Sequence, residues 1–434
     1  MGRSIRTAAI VQPVWTLGGR RTEGPDEDAF TLAAAALERL GATSPSLDIA
    51  SIDLVGEFPP DVEWSVSEAL GKEEIEIRRH PPGLPSLFDV LGNAAATQEG
   101  DSSTTAVVAA DTSAGERPPY PTRVGGAAAA VLLAIGTGAR IAGRGVRHHP
   151  VERRPDASRW IAVARRAAPG LSPGSSGTLG IIADAAAPVL LAEWRRAFPS
   201  MVPEVSPWAP ERWGDLPAAR GLLAIWEHSA SAPPGSTILL AGIRPDRTDF
   251  LSIVADAPVE WRGPWRGDGP AVSVPEGPTF HPGAEVEDAV SEGAYLPRAR
   301  YLESLPSRWR FEGERCRQCG ATTFPRRGRC RKCGRTDTLE PVQLPTAGLT
   351  VEAVTTIHPG AQPTEFDPVV AAVGPYSVVL VRLGDGPRAT LQVTDTTAGT
   401  LHVGDRVSTV LRRLYPMEGG WRYGRKAVPE PATA

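Results

Sequence analysis

The sequence is poor in cysteine: it has four in 434 residues, and all four lie between positions 316 and 333. No thiol upstream can therefore act as a catalytic nucleophile. Excess charge of one sign is also missing, since the formal net charge is −4, which argues against whole-chain attraction to nucleic acid or anionic membrane. No apolar run approaches the roughly 18 residues of a membrane span, and the N-terminus lacks the apolar core of a signal peptide.

The cysteines form two Cys-x-x-Cys pairs, Cys316 with Cys319 and Cys330 with Cys333, separated by ten residues. This spacing predicts one tetrahedral site with four thiolates for a structural Zn²⁺, because four protein ligands leave no position open for water. A glycine follows each pair, where a tight knuckle must turn. Because thiolates persist in a reducing compartment, we expect a cytoplasmic protein.

The first 258 residues alternate between apolar strands and amphipathic helices. Asp26-Glu27-Asp28 reads as the acidic start of a helix, and 105–110 and 127–134 read as buried strands. The pattern recurs more weakly, with a largely helical stretch over 178–196, a helix over 217–226, and strands over 237–243 and 250–255. We therefore predict a duplicated α/β domain with halves of about 1–145 and 146–258.

The rest of the chain divides into three parts. Residues 259–294 are rich in Pro and Gly and read as a linker, and residues 295–345 read as a helix that leads into the zinc ribbon. In 346–434, short β-runs separated by turn residues predict a small all-β barrel of the OB type. The predicted strands are 349–357, 376–383, 389–394, 406–414 and 421–426.

Residues 295–426 resemble the acyl-CoA-associated OB-fold proteins that carry a rubredoxin-like zinc ribbon. The resemblance rests on Glu314-Arg-Cys-Arg-Gln-Cys-Gly, on Phe324-Pro325 between the cysteine pairs, on Pro375-Tyr376, and on Val403-Gly-Asp-Arg-Val407. It implies a protein that binds beside thiolase-superfamily enzymes, or is fused to them, and helps to seat or channel a CoA thioester.

Residues 1–258 resemble the thiolase superfamily, most closely its hydroxymethylglutaryl-CoA synthase-like branch. The segments that carry this resemblance are Val107-Val-Ala-Ala-Asp-Thr112, Gly125-Gly-Ala-Ala128, Gly214-Asp-Leu-Pro-Ala-Ala219 and Ile238-Leu-Leu-Ala-Gly242. The resemblance implies a thiolase-like domain with five layers, α-β-α-β-α.

The catalytic residues of such enzymes have no clear counterparts in this chain. Aligning Gly83-Leu-Pro-Ser-Leu87 with the family pattern puts His80 where the cysteine nucleophile would stand, and Asp215 lies nearest to the assisting Asn. We expect a pseudoenzyme. If it is active, it would be an acyltransferase or C–C lyase with His80 or Asp215 as a base, although His80 is better explained as a polar loop residue.

The predicted ribbon is strongly basic, and this charge suits two alternative kinds of ligand. Arg326, Arg327 and Arg329 are candidates for contacts with CoA phosphates, but a basic ribbon beside an OB barrel also suits a nucleic-acid-binding module. The thiolase-like half favours CoA. We therefore predict a non-catalytic accessory subunit in a hetero-oligomer with a catalytically competent thiolase-superfamily homologue, acting on acyl-CoA without nucleic acid or membrane.

Overall fold

The structure is a computed structural model of the whole chain. It describes residues 3–17, 20–21, 23–41, 48–96, 103–112, 127–135, 138–148, 162–166, 177–183, 196, 201–205, 216, 218–243, 247–262, 272–273, 297–362, 366–367, 370, 374–384, 386–417 and 420–430.

The N-terminal part contains two sets of five strands that follow the same order. The first set comprises β1 (Arg3–Val11), β4 (Ser51–Gly56), β5 (Glu76–His80), β6 (Thr105–Asp111) and β7 (Ala127–Ile135). The second comprises β8 (Ala139–His148), β9 (Gly177–Ala183), β10 (Met201–Val205), β11 (Ser236–Ile243) and β12 (Arg247–Ala255). The strands follow the path β10-β9-β11-β12-β8-β1-β7-β6-β4-β5. When the strands of each set are counted along the chain and read from the outer end of the path inward, both sets have the same order: third, second, fourth, fifth, first. The predicted duplication is confirmed.

Four helices pack against these strands in layers. They are α1 (Ala29–Leu40), α2 (Val62–Leu70), α3 (Leu84–Ala95) and α4 (Ala219–Ser231). Alternate residues of each strand face opposite sides of the sheet. On β6, Val107 and Ala109 join the core around α3 and α4, while Ala106 and Val108 join the core under α1 and α2. The helices α3 and α4 thus form a central layer shared by the two halves, and the predicted thiolase-like fold is confirmed.

Helix α1 begins and ends where its sequence dictates. Asp28 accepts a hydrogen bond from the Thr31 amide (2.8 Å), and the Thr31 hydroxyl accepts one from the Asp28 amide (2.9 Å), which closes a capping box. Gly41 ends the helix at φ 89°, a conformation that glycine adopts without strain. The acidic run is therefore a helix start, but with Asp28 alone as the cap.

Short strands complete the N-terminal part. They are β2 (Trp15–Leu17), β3 (Arg20–Arg21), β13 (Glu260–Arg262) and β14 (Val272–Ser273). The last two lie inside the stretch predicted as a linker: β13 pairs with β1 and β14 pairs with β2.

Two local predictions are wrong. Residues 177–183 form strand β9, not a helix, and the remainder of the predicted helix lies mostly outside the described residues. His80 is the last residue of β5 and not a loop residue. Its partner strand β4 is buried throughout, and the register places Val55 opposite His80.

The C-terminal third begins with helix α5 (Arg298–Arg310), which leads into a three-stranded ribbon of β15 (Glu312–Cys316), β16 (Thr322–Thr323) and β17 (Leu339–Gln343). Five further strands follow in the order β20-β19-β18-β21-β22. They are β18 (Leu349–Ile357), β19 (Tyr376–Arg382), β20 (Arg388–Gln392), β21 (Arg406–Met417) and β22 (Gly420–Pro429). A parallel bridge from Val393 to Ala427 joins β20 to β22 and closes the barrel, confirming the OB-type prediction.

Within the described residues, none of the helices is both long enough and apolar enough to cross a membrane.

Candidate functional site

The four predicted zinc ligands converge. The Sγ atoms of Cys316, Cys319, Cys330 and Cys333 all lie within 4.8 Å of one another, with 3.6 Å between Cys316 and Cys333 and 3.5 Å between Cys319 and Cys330. A tetrahedron of thiolates about 2.3 Å from zinc has edges of roughly 3.8 Å, so the donor set fits this metal. A structural Zn²⁺ would be held by these four residues.

Each knuckle is built by the backbone around its cysteine pair. The Gly320 amide donates to the Cys316 carbonyl at 2.8 Å, and the Gly334 amide donates to the Cys330 carbonyl at 3.0 Å. Both glycines have positive φ, 70° and 77°, which side-chain-bearing residues rarely adopt. The Thr338 hydroxyl lies 3.1 Å from Cys316 Sγ, and hydrogen bonds from it and from the backbone at Cys319 and Gln318 lower the pKa of that thiol to about 6, which favours the thiolate that metal binding needs.

The three arginines proposed for CoA phosphates differ in their surroundings. Arg326 is paired with Glu312 at 2.6 Å and with Glu314 at 3.6 Å, so its charge is balanced within the ribbon. Arg327 is exposed, and Arg329 is exposed with its Nε donating to the Gly334 carbonyl at 3.1 Å. Of the three, Arg327 and Arg329 are the better placed to meet a ligand.

Helix α5 and the barrel are packed directly on the thiolase-like domain. Tyr301, Leu305 and Trp309 recur along one face of α5 and join the core beneath α1 and α2. The Trp309 indole donates to the Tyr423 carbonyl at 3.0 Å, and the Phe30 ring stands edge-on to Tyr423 at 5.0 Å between centroids. Aromatic residues of α1, α5 and β22 therefore form one continuous core across the two parts of the chain.

A buried ion cluster lies at the same contact, and we call it the domain seam: Asp26, Glu27, Asp395, Arg412 and Lys426. Arg412 lies 2.6 Å from Glu27 and 3.1 Å from Asp395, while Lys426 lies 2.9 Å from Asp26. No side chain of the seam is more than 5% exposed. Buried charges of this kind tolerate no missing partner, so the barrel is fixed to one position on the thiolase-like domain.

The domain seam holds three carboxylates against two cations, and the pKa values reflect this imbalance. Burial raises the pKa of Glu27 to about 8. The positive charge of Arg412 opposes this rise, and the negative charge of Asp395 adds to it. The pKa of Asp26 is lowered instead: burial raises it, but the fields of Lys426 and Arg412 outweigh that effect. Glu27 is thus the carboxyl that stays protonated near neutral pH, which balances the cluster.

His80, at the end of β5, is held by the buried carboxylate of Asp53 on the neighbouring strand β4. Its Nε2 lies 2.8 Å from Asp53 Oδ1, and Arg78 makes a two-point contact with the same carboxylate at 2.8 and 2.9 Å. Burial raises the pKa of Asp53, but the hydrogen bonds from Arg78 and His80 outweigh that effect, so the pKa is lowered overall. Asp215, the second candidate base, lies outside the described residues. The structure therefore brings His80 together with Asp53, which sequence reasoning missed.

A second buried carboxylate links the two halves. Asp111, at the end of β6, accepts hydrogen bonds from the Ala218 amide (3.0 Å) and the Ala219 amide (2.6 Å) at the start of α4. Asp111 therefore caps the N-terminus of α4, which has no capping side chain of its own. The two residues of this contact, Asp111 and Ala218, are 107 positions apart in the sequence. The only available sequence signal was an acidic residue closing an otherwise apolar strand.

Comparison with known proteins identifies the C-terminal third. Residues 307–340 match the family model described as ChsH2, rubredoxin-like zinc ribbon domain. A DUF35 domain-containing scaffold protein of Methanothermobacter thermautotrophicus is 31% identical over 133 residues, which are 30% of this chain and 95% of that protein. A protein of the same description from Methanocaldococcus jannaschii is 30% identical over 132 residues, 30% of this chain and 89% of that one.

Solved structures resemble about three fifths of the chain, at low sequence identity. The acyltransferase ChlB3 has a TM-score of 0.47 at 16% identity, covering 60% of this chain and 99% of that one. PksG, an HMG-CoA synthase from Bacillus subtilis, has a TM-score of 0.46 at 14% identity, covering 59% and 80%. These values add nothing to what the strand order and the layers already establish.

Proposed function

This chain belongs, through its C-terminal third, to the DUF35 domain-containing scaffold proteins, and from that premise we propose that it is the non-catalytic accessory subunit of a thiolase-type complex. Its partner would be a catalytically competent thiolase-superfamily homologue. The subunit would help to bind or channel the CoA thioester on which that partner acts. Both proteins would work in the cytoplasm.

One observation carries this proposal: the scaffold module is fixed onto a thiolase-like domain that has no thiol of its own. Every cysteine of the chain belongs to the zinc ribbon. An imidazole at position 80 cannot form the stable thioester intermediate that a cysteine forms. On this proposal the N-terminal part contributes a thiolase-like fold, and the cysteine that accepts the acyl chain would come from the partner.

The surface that suits such a partner is the sheet edge at β5. Strand β5 ends the described path of the sheet and pairs on one side, with β4. An unpaired edge offers main-chain donors and acceptors to a further strand. Its arginines are already neutralised on its own side, Arg78 by Asp53 and Arg79 by Glu63 at 2.5 Å. A partner docked here would also meet α2, against which α5 packs through the Glu68–Arg310 ion pair at 2.6 Å.

For CoA, Arg327 and Arg329 are the candidates. As exposed residues they would hold a phosphate weakly, because solvent screens each pair. A bound partner that excludes water from the ribbon would strengthen the same contacts. We therefore place any CoA contact of these arginines at the boundary with the partner.

The Asp53–His80 pair favours a second candidate, an acyl-CoA enzyme that uses a base in place of a cysteine. In the tautomer that carries its proton on Nε2, the imidazole would donate to Asp53 and present Nδ1 as an acceptor, which is how a general base is commonly oriented. Turnover of acyl-CoA by the isolated chain that is lost in His80→Ala and kept in His402→Ala, an exposed histidine of the barrel, would favour this candidate over the scaffold.

The test of the scaffold proposal is affinity purification from the native cell with identification of the bound proteins, followed by reconstitution. We expect a thiolase-superfamily protein that contains a catalytic cysteine, and its rate with acyl-CoA should rise when this chain is added. Recovery of no such protein, or a partner whose rate is indifferent to this chain, would contradict the proposal.

A further inference from the structure

The outer face of the zinc ribbon carries positive charge that the described part of the chain does not balance. In a Cys-x-x-Cys knuckle the sulfurs point at the metal, so the residues around them point to solvent. Six such cations, which we call the knuckle cations, are exposed and have no carboxylate oxygen within 4.0 Å among the described residues: Arg315, Arg317, Arg327, Arg329, Arg331 and Lys332.

The zinc centre alone does not account for these cations. Four thiolates around Zn²⁺ leave two negative charges. The four carboxylates of the ribbon are largely engaged elsewhere: Glu312 and Glu314 pair with Arg326, and Asp337 pairs with Arg335 at 3.0 Å. Because six cations face a centre of charge −2, the ribbon keeps an excess of positive charge on its outer face.

The magnitudes decide what this face can do. An exposed ion pair contributes about 0.2–1 kcal/mol, so exposed cations make a poor pocket for a small anion such as CoA. Dispersed charges instead raise the rate at which an oppositely charged surface is encountered, by roughly 10 to 10³-fold at low salt. A large anionic partner can also contact several knuckle cations together.

Nucleic acid is the less suitable polyanion. Single-stranded binders add aromatic platforms, which contribute about 1–3 kcal/mol per stacked base. The one aromatic ring of the ribbon between its cysteine pairs, Phe324, is half-buried and packs edge-on against Phe311 at 5.2 Å. The large apolar side chains exposed in the described chain are Trp64, Leu302 and Val403, none of them in the ribbon.

We propose that the knuckle cations form a docking face for an acidic protein surface, which they attract and orient beside the thiolase-like domain. The inference rests on the proposed function in one respect only, which is the identity of the protein that carries the acidic surface. That protein would be the partner or a protein that delivers the acyl group to it. The charge recognition itself can be tested without any partner, so the two proposals can fail separately.

The test uses the full zinc-loaded chain and a fluorescent, glutamate-rich helical peptide of about twenty residues. The variant Arg315→Gln/Arg331→Gln/Lys332→Gln removes three knuckle cations. The matched control, Arg298→Gln/Arg300→Gln/Arg388→Gln, removes the same charge from exposed sites outside the ribbon. Zinc content and melting temperature are measured for each protein, so that a loss of fold is recognised.

At low salt we expect the ribbon variant to bind the peptide between about three and a hundred times more weakly than wild type, and the control to change by less than about twofold. Raising the salt from 50 to 200 mM should abolish most of the difference, because exposed charges are screened. Equal binding by the two variants, or no peptide binding at low salt, would overturn the proposal. An oligonucleotide of equal charge that binds tenfold more tightly than the peptide would also overturn it, in favour of nucleic acid.

Discussion

The chain contains two densely charged regions, the domain seam and the zinc ribbon, and they differ in what balances their charge. In the domain seam, Arg412 and Lys426 meet carboxylates of both parts of the chain, with every side chain at most 5% exposed. On the ribbon, Arg331 and Lys332 are exposed beside the metal ligands. Charges of the first kind fix the architecture, whereas charges of the second kind remain available to ligands.

Removing the metal should have the largest effect. The four thiolates would repel one another without Zn²⁺, and metal binding typically contributes about 10–16 kcal/mol to the folding of small zinc domains. We expect one zinc per chain by elemental analysis, and loss of the ribbon fold in Cys316→Ser or after chelation. Iron, or no metal, in the native protein would contradict the structural assignment.

Breaking the domain seam should come next. Arg412→Met leaves the Asp395 carboxylate without its cation, and removing one partner of a buried pair typically costs about 3–5 kcal/mol. The matched control is Arg388→Met, whose ion pair with Glu352 is exposed and should contribute less than about 1 kcal/mol. Denaturant unfolding measures both free energies. Similar losses in the two variants would mean that the seam is not buried as described.

The pH dependence of the seam follows from Glu27. Its pKa is raised from 4.5 to about 8 in the folded chain, so the folded state holds a proton that the unfolded state releases. Stability from this group is complete below about pH 4.5 and is lost as the pH rises to about 8, with a slope of at most about 1.4 kcal/mol per pH unit.

In Glu27→Gln the free energy of unfolding should fall less steeply as the pH rises, because the titrating group is gone. The fold should still lose stability in acid, because the lowered pKa of Asp26 remains. Unfolding free energies between pH 5 and 8 compare the two proteins. An unchanged slope in Glu27→Gln would show that Glu27 is already ionised in the folded state.

The smallest effect is expected on the ribbon. In the complex with its partner, Arg327→Ala/Arg329→Ala should raise the apparent KM for acyl-CoA, by about tenfold or more per contact if water is excluded and by a few-fold if it is not. Arg326→Ala serves as the control, since its charge already pairs with Glu312. A larger rise in KM in Arg326→Ala than in Arg327→Ala/Arg329→Ala would contradict the assignment of Arg327 and Arg329 as the ligand contacts.

Sequence patterns predicted the barrel better than the N-terminal part. The predicted strand 349–357 coincides with Leu349–Ile357, because Gly and Pro turns bound each short run. The helix predicted over 178–196 is wrong at residues 178–183, because a continuous apolar run does not distinguish a buried strand from a buried helix.

The seam was beyond sequence reasoning. Arg412 contacts Glu27 across most of the length of the chain, and no local pattern reports such a contact. The acidic run at 26–28 was correctly associated with a helix start, yet two of its three carboxylates serve the seam. Likewise, the sequence singled out His80 but not Asp53, which lies 27 residues away on the neighbouring strand.

The central claim is that this chain contributes a thiolase-like fold without accepting the acyl group. The most direct measurement is intact-mass spectrometry of the reconstituted complex after brief incubation with acyl-CoA. We predict that the partner gains the mass of one acyl group while this chain, whose cysteines all lie in the zinc ribbon, gains none. A stable acyl adduct on the thiolase-like domain of this chain would contradict the account.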